Sequence, residues 1–204
     1  MVAVRKVHAE FVLSAADPLR FPAPDLPEIA FAGRSNVGKS SLINALVGAK
    51  IAHVSSTPGR TRTINFFDVT QEPASRSKKI LRIADLPGYG YAKVSKSLSA
   101  EWPKFIEPYL RDREAMRLCV CLIDANVPPQ DSDAQLLRWL QHHDRPYLAV
   151  ATKTDRLGGN QLRNSVRALT KAHGLAEVLP VSVRNDRSLG ELWKKMLEAC
   201  SVQS

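Results

Sequence analysis

The 204 residues carry 29 Lys and Arg against 20 Asp and Glu, a formal charge of +9, and 44% of them are hydrophobic. That is apolar mass enough for the core of one ordinary domain, and a basic balance that suits a polyanionic partner, nucleic acid first. No stretch approaches the ~18 consecutive apolar residues of a membrane span, Arg5, Lys6, His8 and Glu10 break the apolar run a secretory leader needs, and Cys119, Cys121 and Cys200 form neither a CxxC nor a Cys/His metal spacing, which predicts a cytoplasmic protein with inert thiols and no membrane partner.

In chain order, residues 1–27 read as a short extension ending in the Pro-rich lead-in DPLRFPAPDLPE, ahead of a single domain. The apolar run EIAFAG predicts a strand over 28–33, and KSSLINALV a helix over 39–47. Strands follow over 62–69 and 79–84; TQEPASRSK between them is too short for a crossover helix and rich in turn formers, so the two form an antiparallel hairpin. A helix near 98–113 sets Leu98, Trp102, Phe105, Ile106, Tyr109 and Leu110 at helical spacing, with Pro103 and Pro108 kinking it or delaying its start. Next come a strand over 117–123, a helix over 131–143 with Asp131 or Ser132 as N-cap, and a strand over 146–151.

The helix over 160–173 puts Leu162, Val166 and Leu169 on one face and Arg163, Arg167 and Lys171 on another. A strand over 177–181 and a helix over 188–200 complete the chain, the latter with Leu189, Leu192, Trp193, Met196, Leu197 and Cys200 along a core-packing side. Alternating strands and helices with one hairpin predict an α/β fold: three layers, doubly wound, with a mostly parallel six-stranded sheet and one antiparallel strand.

GRSNVGKS, from Gly33 through Arg34, Ser35, Asn36, Val37, Gly38 and Lys39 to Ser40, matches G-x-x-x-x-G-K-[ST] between a strand and a helix. Its glycines allow successive backbone N–H groups to face phosphate oxygens at a helix N-terminus, Lys39 reaches the β- and γ-phosphates, and Ser40 offers a hydroxyl to Mg²⁺. Asp85, Leu86, Pro87 and Gly88 (DLPG) end the third strand, where a carboxylate can hold Mg²⁺ through water and a glycine N–H can meet the γ-phosphate. Thr152, Lys153, Thr154 and Asp155 (TKTD) end the fifth. The Asp155 carboxylate only accepts, so it pairs with the N1–H and 2-amino donors of guanine and not with adenine, while the Lys153 stem covers the base. Val181, Ser182 and Val183 end the last strand, with Ser182 and Val183 positioned to offer backbone N–H to the guanine 6-oxygen. All four segments follow strand C-termini, the ligand-binding end of an open α/β sheet.

With GRSNVGKSSLINAL, SSTPGRTRTINFF, DLPGYGYAKVSK followed by EW, and ATKTD, the sequence from about residue 8 to 199 resembles the Ras-like P-loop GTPases, and among them the EngB family of bacterial ribosome-assembly GTPases. The resemblance implies GTP/GDP and Mg²⁺ as ligands, GTP hydrolysis, and a nucleotide-dependent switch in large ribosomal subunit assembly, with a link to cell division and septation; the chain is expected to act as a monomer and, for want of a water-orienting residue, to hydrolyse GTP slowly. It implies that Gly59, Arg60, Thr61, Arg62 and Thr63 form the loop around the nucleotide, with Thr61 completing Mg²⁺ coordination beside Ser40 and Thr63 its rival. Lys39, Thr61, Gly88 and Asn36 are the residues implied in catalysis. Asn36 matches a residue that in related GTPases helps bind an activating K⁺; the alternative is that it fits the turn.

Two departures stand out. Thr152 replaces the Asn of many GTPases, a variant the resembled family shares, and Tyr89 stands where a Ras-type Gln orients the attacking water. Candidate rRNA contacts are Arg163, Arg167 and Lys171; Lys93 and Lys96; and Lys194 and Lys195. His142 and His143 read as a polar helix end. Rival readings are a P-loop phosphotransferase, which has no use for TKTD, and a static RNA-binding module with structural nucleotide.

Overall fold

Interior strands of a parallel sheet bury both faces, and the chain's continuous apolar runs take that place. The computed structural model describes residues 7–52, 63–71, 78–89 and 106–201. Among them seven strands form one sheet in the order β1-β3-β4-β2-β5-β6-β7: β1 Val7–Ala15, β2 Glu28–Gly33, β3 Ile64–Gln71, β4 Lys78–Asp85, β5 Met116–Asp124, β6 Tyr147–Thr152 and β7 Leu179–Pro180. β3 pairs antiparallel with both β1 and β4, and every other pairing is parallel, so β3 alone runs against its neighbours.

Six strands were expected; the seventh is β1, within the 1–27 segment read as a short extension and ahead of its Pro-rich lead-in. Most of β1 faces solvent, only Ala9 and Ala15 are buried, and its pairing slips between Phe11 and Leu13. A solvated, bulged edge strand shows little of the period-2 pattern that marks a half-buried one. β7 keeps only two residues of the expected 177–181.

Among the described residues five helices cover the sheet: α1 Lys39–Val47, α2 Ile106–Asp112, α3 Asp131–His142, α4 Gly159–His173 and α5 Asp186–Ser201. On one side Ile106, Tyr109 and Leu110 of α2, Leu136, Leu137 and Leu140 of α3, and Leu169 of α4 pack on Ala30, Ala32, Cys119, Cys121 and Ala151. On the other, α1 and α5 pack on Ile29, Phe31, Val120, Leu122 and Val150. The alternation along β2 and β5 divides the two cores. The Trp193 indole N–H donates to the Leu46 carbonyl at 2.9 Å and ties α5 to α1.

Of the helix expected over 98–113, residues 98–105 lie outside the described residues. Pro108 sits in the first turn of α2, where its missing N–H costs no helical bond. The N-cap of α3 is Gln130, not Asp131 or Ser132; Asp131 and Asp133 occupy the first turn instead, where their charge complements the helix dipole.

At the N-terminal ends of the strands the sheet closes over buried charge. Glu28 is fully buried and accepts from Arg113 at 2.5 and 3.0 Å and from the Tyr109 hydroxyl at 3.0 Å. Arg82 donates to Asp68 at 2.6 Å, pairs with Asp25 at 3.1 Å and reaches the Ala23 carbonyl, while Arg113 reaches that of Pro22. These bonds pin the Pro-rich segment across the base of the molecule. Among the described residues no helix is long and apolar enough to cross a membrane.

Candidate functional site

The opposite end of the sheet is built from the loops after β2, β4, β6 and β7. After β2 the chain turns through Asn36 (φ 65°) and Gly38 (φ 103°), both left-handed, before entering α1. A Cβ at Gly38 would be strained in that conformation, so glycine is required where the turn delivers the helix N-terminus. The first-turn amides of α1 have no intrahelical acceptor by construction and point out of the end of the helix.

Lys39 Nζ is hydrogen-bonded to Asp85 Oδ1, and the two side chains are only 11% and 5% exposed. The P-loop lysine and the DLPG carboxylate thus neutralise one another across the mouth of the loop. The same two strands are laced further along. Ser35 N–H donates to the Tyr89 carbonyl at 3.0 Å and Tyr89 N–H to that of Gly33 at 3.3 Å. Gly88 lies so close beneath the loop that a Cβ there would sit 3.0 Å from the Ser35 amide and hydroxyl. Leu86 and Pro87 are buried.

The TKTD segment is fastened to the P-loop by two side chains. Thr152 Oγ1 donates to the Val37 carbonyl at 2.7 Å and lies 3.2 Å from that of Ile123. Lys153, held at φ 57°, sends Nζ to the Asn36 carbonyl at 2.7 Å and to Asp124 Oδ2 at 2.6 Å. Burial alone would raise the Asp124 carboxyl, but hydrogen bonds from Lys153 and Asn126 outweigh it and hold the group below its ordinary value. Thr154 and Asp155 form a short 3-10 turn with Arg156.

Between these segments lies a cavity of about 180 Å³ lined by Gly38, Leu42, Thr152, Lys153, Asp155 and Val181 among others. Asp155 Oδ1 accepts from the Ser182 hydroxyl at 3.0 Å, which fixes the carboxylate at the cavity wall. The Ser182 amide, expected to face a ligand, donates instead to Ser188 Oγ at 3.1 Å, because the N-terminal turn of α5 folds back on this loop. The Val183 amide, among the described residues, has no intramolecular acceptor and is the donor left at the cavity edge. Val181 is buried, its own amide on the Ala151 carbonyl at 2.8 Å.

Tyr89 does not face the P-loop mouth. Its ring is buried in the core, and its hydroxyl donates to Asp133 Oδ1 on α3 at 2.9 Å. Burial pushes the Asp133 carboxyl up to about 6, against the lowering influence of the Tyr89 hydroxyl and the nearby Arg34 guanidinium.

Gly59, Arg60, Thr61 and Arg62 lie outside the described residues, as do Lys93 and Lys96. Thr63, the rival magnesium ligand, is described: its hydroxyl lies 3.4 Å from Asn65 Oδ1 at the mouth of β3. His143 stacks on Trp139 with ring centroids 4.0 Å apart, as a polar helix end would. Sequence reasoning passed over Asp124, Asn126, Asp133 and Arg184, whose guanidinium lies 3.7 Å from Asp155 Oδ2. Asp124 had a usable signal, since it ends a parallel strand just as Asp85 does; Asp133 had none, because its partner is 44 positions away.

For Mg²⁺, the donors at hand are hard oxygens, the Ser40 hydroxyl and the Asp85 carboxylate, and Asp85 already reaches a P-loop cation. That set fits a divalent ion beside phosphates.

Residues 28–153 match the family model described as "50S ribosome-binding GTPase". The "Probable GTP-binding protein EngB" of Koribacter versatilis is 55% identical over 199 residues, covering 98% of this chain and 97% of its own length. That of Acidobacterium capsulatum is 55% identical over 188 residues, covering 92% and 89%. The crystal structure of a probable GTP-binding protein engB superposes with a TM-score of 0.63 at 23% identity, covering 85% of this chain and 98% of that one. A single-residue variant of Aquifex aeolicus Era bound to GDP·AlF4⁻ gives 0.67 at 25% identity, over 87% and 57%.

Proposed function

The chain belongs to the EngB family of GTP-binding proteins, within the ribosome-binding GTPases, and from that membership we propose that it is a slow GTPase switching a step of large ribosomal subunit assembly, with a link to cell division and septation. It works as one GTPase domain, monomeric and cytoplasmic. The observation that carries the reading is Asp155 fixed by Ser182 at the wall of a cavity that opens onto Gly38 and the N-terminus of α1.

In this reading the α1 amides and Lys39 hold the β- and γ-phosphates, and Lys39 exchanges its bond to Asp85 for the phosphate oxygens. Mg²⁺, when bound, supplies positive charge that offsets the charge of the β- and γ-phosphate oxygens. Ser40, Thr61 and Asp85 are the residues that would hold it, Asp85 once its bond to Lys39 is given up to the phosphates. Asp155 accepts from guanine N1–H and the 2-amino group, and the Val183 amide donates to the 6-oxygen. Thr152 holds the P-loop through its hydroxyl on the Val37 carbonyl. Asn36 in the left-handed turn offers a side-chain oxygen for K⁺ beside the phosphates.

Hydrolysis is slow because no side chain at the position after Gly88 orients water: the Tyr89 hydroxyl is committed to Asp133. Gly88, beside the bridge from Ser35 to Tyr89, meets the γ-phosphate, and the loop it belongs to is one that hydrolysis releases. Calorimetric titration with GDP, GTP and ATP tests the reading. GDP and GTP bind, ATP does not compete at a hundredfold excess, and Asp155→Asn lowers GDP affinity about 100-fold, or about 2.7 kcal/mol, while gaining affinity for xanthine nucleotides. Equal binding of ATP and GTP by the unmodified chain would return the site to the phosphotransferase class.

A further inference from the structure

Resting on the ribosomal reading above, we propose that the solvent face of α4, carrying Arg163, Arg167 and Lys171, docks on the phosphate backbone of structured rRNA. The helix holds no acidic residue in its 15 positions, and all three cations are exposed. Among the described residues none of the three joins an ion pair; Arg163 bonds only to the neutral Asn160. The cations of α5 behave otherwise. Arg187 pairs with Glu191 at 3.3 Å, Lys194 with Glu198 at 3.7 Å and Lys195 with Glu177 at 3.3 Å, so their field is cancelled locally.

Spacing and rigidity select the partner. Residues four apart stack along one side of a helix and rise about 6 Å per step, so the three charges form a line of about 12 Å that can follow consecutive phosphates. The helix is a fixed platform: Leu169 is buried in the core, and Ser165 Oγ donates to the Ala125 carbonyl at 2.6 Å. On the neighbouring α3, exposed Arg138 lies near enough to His173, at the end of α4, to join burial in lowering that imidazole. A membrane surface would ask for apolar residues beside the cations. The exposed large hydrophobics among the described residues are Phe11, Val12, Leu19, Val127 and Val183, none of them on α4.

The docking line lies close to the guanine loop, since only Leu157 and Gly158 separate the 3-10 turn Thr154–Arg156 from the start of α4. RNA seated there bears directly on the segment that carries Asp155.

The test uses the full chain with a non-hydrolysable GTP analogue, binding to salt-washed large ribosomal subunits and to protein-free large-subunit rRNA across a salt series. Arg163→Gln, Arg167→Gln and Lys171→Gln combined, a substitution that keeps helix propensity, weakens both interactions at least tenfold. It also flattens the log K against log salt slope by about 1 for each cation removed. GDP affinity and intrinsic GTPase rate stay unchanged, which reports the fold. The control Lys194→Gln with Lys195→Gln leaves binding within twofold.

Protein that binds subunits and rRNA equally well with and without the three α4 cations overturns the inference and leaves the ribosomal reading standing. A loss on subunits with none on naked rRNA assigns the face to a ribosomal protein and overturns it too. Unmodified protein that binds neither overturns the ribosomal reading itself.

Discussion

Ion pairs close both ends of the sheet, yet the two ends serve opposite uses. At the N-terminal ends of the strands, Glu28, Arg113, Arg82 and Asp68 are nearly or wholly buried, and the arginines spend their remaining donors on the Ala23 and Pro22 carbonyls. Each charge has several partners, all of them protein, and none is left to exchange. At the C-terminal ends, Lys39 bonds to Asp85 and Lys153 to Asp124 beside unpaired helix amides and an open cavity. Those pairs can trade partners. The lesson is that a buried ion pair is architecture where its geometry is closed, and a placeholder where a ligand with better geometry can displace it.

Glu28→Ala breaks the closed end and carries the largest expected effect. It leaves the Arg113 guanidinium and the Tyr109 hydroxyl without their carboxylate, a loss of about 3–5 kcal/mol. Urea unfolding followed by circular dichroism reads it, and GDP affinity of the molecules that remain folded is unchanged. A parallel fall in GDP affinity would show that the two ends are coupled.

Asp133→Asn sharpens the contrast between them. The folded Asp133 carboxyl titrates at about 6, above its ordinary value of 3.8, so between these pH values the folded chain holds a proton that the unfolded chain has lost. This contribution to stability is present below about pH 4 and lost as pH rises through 6, by roughly 3 kcal/mol. Asn keeps an acceptor for the Tyr89 hydroxyl and cannot ionise. The variant therefore gains stability relative to the parent as pH rises from 4 to 7, read by unfolding at each pH; an unchanged difference across that range rejects the assignment.

Thr152→Val is the smallest and most local change. It preserves shape but takes the hydroxyl from the Val37 carbonyl, for about 1 kcal/mol. GDP binding weakens about fivefold by titration, and the thermal unfolding midpoint of the free chain falls by about 2–4 °C. The same substitution lowering stability more than GDP affinity would place Thr152 in the closed architecture and not in the nucleotide end.

Much of this was legible from residues alone. The strand over 28–33 and the helix over 39–47 match β2 and α1 residue for residue, because an unbroken apolar run and a glycine-bounded helix are signals carried within a few positions. β1 was not, since an edge strand needs little burial and its bulge scrambles the alternation. Ser182 was assigned the wrong job for its amide because Ser188, on the following helix, could not be placed from sequence.

The sequence by itself determined the order of elements from β2 onward, the loop at Gly33–Ser40, the carboxylate at Asp155 and the absence of a glutamine after Gly88, all of which depend on neighbours within a turn or two. Tertiary structure alone decided that Tyr89 turns inward to Asp133, that Glu28 is met by an arginine 85 positions away, and which basic helix faces stay uncompensated. Local patterns are written by short-range sterics and periodicity, whereas the pairing of charges depends on which surfaces the packed core brings within a few ångströms.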